Sequence, residues 1–161
     1  MTLVGLTSKQ LIDQEKSLIL PSCTLTDTIV IGKIAMKIAL TRELPITIEV
    51  QLGERIVFRA AFTGSTTDND WWISRKSRVV FLKNHSTLYE KVYAEERGVD
   101  WHKENNLLDE THAIHGGGLP LITRGEGFVG ALLVSGLSQV DDHLLGIKIL
   151  TDFLAHRAEL P

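Results

Sequence analysis

The glycine run after His115 is the segment whose residue types and spacing point most directly to chemistry. His115 precedes Gly116, Gly117 and Gly118, and an apolar run follows them. Consecutive glycines let a backbone approach a ligand closely and can turn several N–H groups toward an anion. The His115 imidazole can serve as an axial haem ligand, and His112 could join it on a metal if the segment is helical. The alternative is a flexible loop with incidental histidines.

A second candidate segment carries two adjacent tryptophans and two basic residues. Trp71 and Trp72 point to different faces of a predicted helix, so at least one should meet a ligand, a partner surface or an interface. Arg75 and Lys76 lie within one further turn and could bind carboxylates, such as haem propionates. The alternative is a capped helix with one core tryptophan and a charged outer face.

Asp142 and His143 lie at the predicted start of the last helix. Acidic residues at that position interact favourably with the helix dipole, which accounts for them without catalysis. Cys23 is interpreted as a small apolar side chain rather than a thiolate ligand. No Ser-His-Asp or Cys-His order is legible in the sequence.

The segment Gly125–Gly130 matches the dinucleotide-binding pattern GxGxxG. That pattern requires a helix directly after the glycines, because the helix N-terminus receives the pyrophosphate. Here residues 128–135 have the composition of a strand. The sequence therefore predicts a hairpin turn at Gly125–Gly127 and a strand glycine at Gly130.

Length, charge and composition indicate one soluble domain over residues 1–161. The net charge of −3 gives no electrostatic reason to expect nucleic acid as a partner. No segment reaches the ~18 apolar residues that a membrane span needs, and the N-terminus does not resemble a signal peptide. A single cysteine fits a reducing compartment, so we expect a cytoplasmic protein.

Hydrophobic periodicity predicts the element order α–β–α–β–β–α–α–β–β–α. The strands are joined by hairpins rather than by crossovers, which indicates an antiparallel sheet with helices packed on it. The second helix should begin at a cap on Thr26 or Asp27 and end near Arg42, and its nearly all-apolar surface indicates burial or contact with another subunit. Predicted strands cover residues 18–24, 46–52, 56–62, 119–123 and 128–135.

The hairpin between the second and third predicted strands allows a test of register. A three-residue loop, Gly53–Arg55, pairs Val50 with Phe58 and Leu52 with Ile56, and so keeps the apolar side chains on one face. A two-residue turn with an adjacent bulge would serve equally.

Motifs along nearly the whole chain resemble those of the haem-degrading domain family (GlcG-like, HbpS-like, PduO C-terminal-like), in particular its short single-domain branch. They are Gly64–Asp70, Trp72-Ile73, Arg75-Lys76, His115–Gly117, Pro120, Gly127, Val129-Gly130, Val134–Leu137 and Asp142-His143. The resemblance implies a profilin-like three-layer α/β/α sandwich, an α+β fold, around a five-stranded antiparallel sheet with residues 18–24 as the fifth strand. It also implies homo-oligomers.

Three functional hypotheses follow. The first is an oligomeric small-molecule-binding protein with haem as the candidate cofactor and His115 as its metal ligand. Its proposed ligand-binding residues are His115, Gly116, Gly117, Gly118, Trp72, Arg75, Lys76, Asp142 and His143. The second is an oligomeric scaffold without catalysis. The third is an enzyme on an unidentified metabolite, which requires that His115, Asp142, His143 and Arg75 converge in one cleft.

Overall fold

A computed structural model describes residues 4–160, and within that range it contains six helices and four strands. In chain order they are α1 (Ser8–Ser17), α2 (Leu25–Thr41), β1 (Thr47–Leu52), β2 (Arg55–Ala61), α3 (Thr67–Lys83), α4 (Thr87–Glu96), α5 (Trp101–Asn105), β3 (Gly118–Thr123), β4 (Gly127–Ser135) and α6 (Gln139–Ala158).

The sheet is antiparallel throughout, with the strand order β2-β1-β4-β3. Two hairpins, β1–β2 and β3–β4, lie side by side and are joined where β1 pairs with β4. The prediction of an antiparallel sheet built from hairpins is therefore confirmed.

Helices cover both faces of this sheet, so the molecule has three layers. On one face α2 and α6 pack over alternate strand residues, including Ile48, Val50 and Leu132. On the other face α3 packs over Ala131 and Leu133. The period of two along each strand separates the two sets of side chains. Helix α4 lies beside α3, and α1 packs against α4.

The fifth strand predicted at residues 18–24 is wrong. Leu20 forms a single parallel bridge with Thr123, in which the Leu20 N–H donates to Ile122 and the Arg124 N–H donates to Leu20. The preceding helix ends at Ser17 and Thr24 already caps α2, so few residues remain for pairing. Pro21 also lacks an N–H to donate.

The helix α2 begins earlier than predicted. Thr24 is its cap: the hydroxyl accepts from the Asp27 N–H, and the Asp27 carboxylate accepts from the Thr24 N–H. This reciprocal capping box places Asp27 inside the first turn rather than at the cap.

The β1–β2 hairpin has the two-residue turn with a bulge, not the three-residue loop. Val50 pairs with Phe58 as predicted, but the register shifts after Val50, so that Ile56 faces Gln51 and Arg55 faces Leu52. The bulge preserves the apolar alternation over the buried end of the hairpin.

The GxGxxG segment is a hairpin, as predicted. Residues 124–126 form the turn between β3 and β4, and Gly130 lies within β4 opposite Leu52. A Cβ atom on Gly130 would collide with the carbonyl oxygen of Gln51. The glycine therefore serves the close approach of two strands rather than a phosphate.

Although α2 is rich in apolar residues, part of its surface faces solvent in the monomer. Ile31, Ala35 and Ala39 are buried, whereas Leu25 and Leu40 are 47% and 62% exposed. None of the helices within residues 4–160 combines the length and apolar character that crossing a bilayer requires.

Candidate functional site

A cleft of about 240 Å³ opens where three parts of the chain meet beside the start of α6. Helix α3 forms one wall, His115 forms another, and the end of β4 with the first turn of α6 forms the third. The residues that line the cleft are Asn69, Trp72, Lys76, His115, Ser135, Gly136, Leu137, Gln139 and Asp142.

Helix α3 supplies Asn69, Trp72 and Lys76 to the cleft. These positions follow the spacing i, i+3, i+7, which places them on one face of an α-helix. Arg75 is one residue removed from Lys76 and lies on a neighbouring face, toward Trp71. The helical period thus separates the two basic residues that the sequence brings together.

His115 lies half-buried in the cleft against Trp72. The two ring centroids are 4.6 Å apart and the rings are nearly perpendicular. The Nδ1 atom is buried and has no hydrogen-bond partner among residues 4–160. Burial is the main cause of a lowered pKa, and Lys91 and Lys76 lower it further. The imidazole is therefore neutral at pH 7, the form in which histidine binds metals or shares hydrogen bonds.

Lys76 and Asp142 form a buried ion pair on the cleft wall. The Lys76 Nζ lies 3.2 Å from Asp142 Oδ2 and donates to the carbonyl oxygen of Val134 at 2.9 Å. Asp142 also accepts from the N–H groups of Gly136 and Leu137. Burial lowers the pKa of Lys76 and raises that of Asp142, and in each case the partner opposes the shift.

The three glycines after His115 allow the backbone to pass close to its neighbours. A Cβ on Gly116 would collide with the carbonyl oxygen of Gln139, and one on Gly118 would lie 2.8 Å from side-chain atoms of Val80 and Thr87. The Gly118 N–H donates to the Thr87 hydroxyl. These glycines bring the loop against α3, α4 and α6, and their proposed contact with a ligand stays a prediction.

Gly117 differs from the other two glycines in its backbone conformation and in its contact with Lys76. Its φ of +125° lies in a region that side-chain-bearing residues rarely adopt, and a Cβ there would lie 2.7 Å from the Lys76 Nζ. The loop therefore approaches the buried amine directly.

Arg75 does not line the cleft. Its side chain is 1% exposed, its Nε donates to the carbonyl oxygen of Asp109, and its Nη2 lies 2.9 Å from the Asp109 carboxylate. The guanidinium carbon also lies 3.9 Å from the Trp71 ring centroid and 4.3 Å from that of Trp72. Arg75 thus holds the loop before His115 against α3. Its guanidinium pairs with Asp109 outside the cleft, and its proposed binding of ligand carboxylates stays a prediction.

His143 faces a separate small cavity of about 10 Å³, which Glu15, Leu18 and Ser86 also line. Its Nε2 lies 2.8 Å from the Gln14 Oε1, and burial lowers its pKa to about 4. The structure therefore brings His115 and Asp142 together, with Lys76, but separates them from His143.

No metal cluster accompanies His115 in the described part of the chain. His112 and His115 do not lie on a helix, so the spacing that would allow joint chelation is not realised. Within residues 4–160 no group of three His, Cys, Asp or Glu side chains is arranged to hold an ion. Burial raises the pKa of the Cys23 thiol to about 11, which makes it an inert side chain at neutral pH.

Sequence reasoning assigned no binding role to five residues that line the cleft: Asn69, Ser135, Gly136, Leu137 and Gln139. Asn69 was detectable, because it shares the helical face of Trp72 and Lys76. Ser135 and Gln139 were not, since their position depends on how β4 and α6 meet. The Oε1 atom of Gln139 is buried and has no hydrogen-bond partner within residues 4–160.

The family model described as "Haem degrading protein HbpS-like" matches residues 23–151. A protein of Streptomyces avermitilis named "UPF0303 protein" is 36% identical over 141 residues, which are 88% of this chain and 86% of that protein. A second protein of that name, from Lactiplantibacillus plantarum, is 34% identical over 92% of this chain and 96% of its own length.

Two solved structures resemble the present one. The crystal structure of Ybr137w protein superposes with a TM-score of 0.85 at 27% identity and covers 94% of this chain and 90% of its own. A structure described as a PduOC:heme complex superposes with a TM-score of 0.68 and covers 81% of this chain and 94% of its own. Its 14% identity shows a shared fold.

Proposed function

This chain belongs to the HbpS-like family of haem degrading proteins, and we propose that it binds a small molecule in the cleft at His115, with haem as the candidate ligand. The observation that carries the proposal is the state of His115. Its ring lies in an open cleft against Trp72, its buried Nδ1 has no hydrogen-bond partner within residues 4–160, and burial lowers its pKa, which favours the neutral form.

The donor chemistry of the cleft fits haem. A neutral imidazole is an established axial ligand, and His115 would hold the iron. Bound haem would supply the redox and ligand-binding chemistry of its iron. Lys91 lies near enough to influence the pKa of His115, but it pairs with Glu95 at 3.4 Å, and Arg75 and Lys76 are paired as well, so a propionate would have to displace an existing ion pair.

Two features predict that haem binds weakly and reversibly. A cavity of about 240 Å³ is smaller than the roughly 300–1,000 Å³ of sites that enclose drug-sized ligands, so much of a macrocycle must stay outside. In addition, a histidine that ligates a metal usually donates its second ring N–H to an acceptor. The buried Nδ1 of His115 has none within residues 4–160.

Titration of the purified protein with hemin at pH 7 tests the proposal. We expect a saturable shift of the Soret band in the wild type and its loss in His115→Ala. His156→Ala is the matched control, because His156 is exposed near the end of α6. Absence of a saturable shift, or an equal shift in His115→Ala, would contradict the proposal.

We also propose that the protein forms homo-oligomers. Leu25, Ile29 and Leu40 of α2 are 41% to 62% exposed in the monomer, and a second copy would cover such side chains. Light scattering after size exclusion measures the mass in solution. A monomer at micromolar concentration would contradict this part of the proposal.

A further inference from the structure

We propose that Lys76 is an amine nucleophile that captures the carbonyl carbon of a short hydroxylated aldehyde or ketone in the cleft. The inference rests on the proposed ligand cleft, but it does not need haem.

The position of Lys76 directs a reactant toward its amine from one side. Lys76 lines the cleft although its side chain is only 3% exposed, so a reactant would approach its amine from the cleft. Two acceptors, Val134 O at 2.9 Å and Asp142 Oδ2 at 3.2 Å, fix the nitrogen in place. The backbone of Gly117 packs close to the nitrogen on another side, since a Cβ there would lie 2.7 Å from Nζ.

The surroundings of Lys76 also favour the protonation state that attack requires. An amine attacks a carbonyl only in its neutral form, and buried lysines reach that form more easily than exposed ones. Burial lowers the pKa of Lys76, and the neighbouring Arg75 lowers it further, while Asp142 acts in the opposite direction. Burial also raises the pKa of Asp142, so this carboxyl group can hold the proton that the amine gives up.

The pair contains both groups that imine formation needs. The nitrogen lone pair of Lys76 forms a bond to the carbonyl carbon, and the carbonyl oxygen takes up a proton from Asp142. The nitrogen, now positively charged, returns one of its two protons to Asp142, and the carbinolamine loses its hydroxyl group as water by taking up that proton as the C–O bond breaks. The nitrogen then gives its second proton to Asp142, which ends the sequence protonated as it began. The products are an imine and one water, and no oxidant or reductant takes part.

The remaining lining residues define the class of reactant. The buried Oε1 of Gln139 lacks a donor within residues 4–160, and a ligand hydroxyl group would supply one. Asn69 on the α3 wall and Ser135 at the end of β4 add further polar groups. Lys76 and Asp142 balance each other in charge, and the cavity of about 240 Å³ is small. A short, uncharged, hydroxylated carbonyl compound meets all of these conditions.

The competing explanation is a purely structural ion pair that ties α3 to α6. A buried pair gives no clear gain in stability over apolar side chains of similar volume. The two explanations differ in one measurable property, which is whether Lys76 reacts with carbonyl compounds faster than an exposed lysine does.

Reductive trapping measures that property. The wild-type protein is incubated at pH 7 with glycolaldehyde and cyanoborohydride, which reduces any imine to a stable secondary amine, and peptide mapping gives the modified fraction of each lysine. Exposed Lys33 is the internal reference. We expect the initial rate at Lys76 to exceed that at Lys33 severalfold, because a lowered pKa leaves a larger fraction of the amine neutral at pH 7. Equal or slower modification of Lys76 would overturn the proposal.

Two further experiments test the hydroxyl group of the reactant and the identity of the reactive lysine. Acetaldehyde, which lacks the hydroxyl group, should lower the ratio of Lys76 to Lys33 modification by about 2- to 12-fold, the value of one hydrogen bond. An unchanged ratio would overturn the assignment of a hydroxylated reactant. Lys76→Arg, checked for native circular dichroism, should lose the fast-reacting site and keep modification of Lys33. A fast site that survives in this variant would place the reactive amine elsewhere.

Preincubation with hemin separates this inference from the proposed function. Fast trapping at Lys76 without a hemin-dependent Soret shift supports the inference and contradicts haem binding. A Soret shift without fast trapping supports haem binding and contradicts the reactive role of Lys76. If both hold, bound hemin should protect Lys76 from modification, because both occupy one cleft.

Discussion

Gly117 lies against the amine of Lys76, at a point where no other residue type fits. Its φ of +125° is strained for a residue with a side chain, and a Cβ atom would lie 2.7 Å from the Lys76 Nζ and collide with the carbonyl oxygen of Val134. The loop that carries His115 therefore reaches the cleft only because this residue is glycine.

Gly117→Ala should consequently destabilise the protein. We expect a loss of about 1–3 kcal/mol from backbone strain alone, and a further loss because the neighbouring atoms must move. Urea denaturation, monitored by circular dichroism, measures this loss in the free energy of unfolding. The matched control is Gly125→Ala in the β3–β4 turn, where a Cβ meets no atom within 4 Å. Equal stability of the two variants would refute the role given to Gly117.

Arg75 is expected to act through the loop rather than on a ligand. Arg75→Lys removes the two-pronged contact with Asp109 and the stacking on Trp71 and Trp72, because an ammonium group cannot reproduce a planar guanidinium. We expect a loss of about 2–3 kcal/mol and faster amide hydrogen exchange in residues 106–117. Exchange rates in that segment that match the wild type would contradict the assignment.

Much of the sheet was predictable because strand patterning is local. Alternation of apolar residues located β1, β2, β3 and β4 to within a residue or two, and it predicted the pairing of Val50 with Phe58. The fifth strand failed for a reason that is not local. The end of α1 and the cap of α2 leave only a short segment around Leu20 free to pair with β3. That segment forms a single bridge.

The site was predictable only in part, because adjacent helix residues point about 100° apart. Asp142 therefore faces the cleft and His143 a different cavity, although the sequence joins them. Lys76 and Arg75 separate in the same way. The contact of Arg75 with Asp109 spans 34 residues and depends on tertiary packing, so no local pattern indicates it.

Gly130→Ala tests the interpretation of the GxGxxG segment. The added Cβ would collide with the carbonyl oxygen of Gln51 in the adjacent strand, so we expect a loss of about 1–3 kcal/mol from overpacking. Thermal unfolding in the presence and absence of NADH completes the test. A dinucleotide site would raise the melting temperature of the wild type, and such a rise would refute the hairpin interpretation.

His143 should make the stability of the fold depend on pH. Burial lowers its pKa to about 4 in the folded protein, whereas the unfolded chain has a value near 6.5. Between these values the unfolded state binds a proton that the folded state does not, so stability falls as the pH falls from about 6.5 to about 4.

The full effect at pH 4 amounts to about 3 kcal/mol. His143→Gln cannot take up this proton, so its free energy of unfolding should fall by about 3 kcal/mol less than that of the wild type between pH 7 and pH 4. Urea denaturation at each pH gives both curves, and His156→Gln controls for loss of an exposed histidine. Parallel curves for the wild type and His143→Gln would show that His143 titrates alike in the folded and unfolded states.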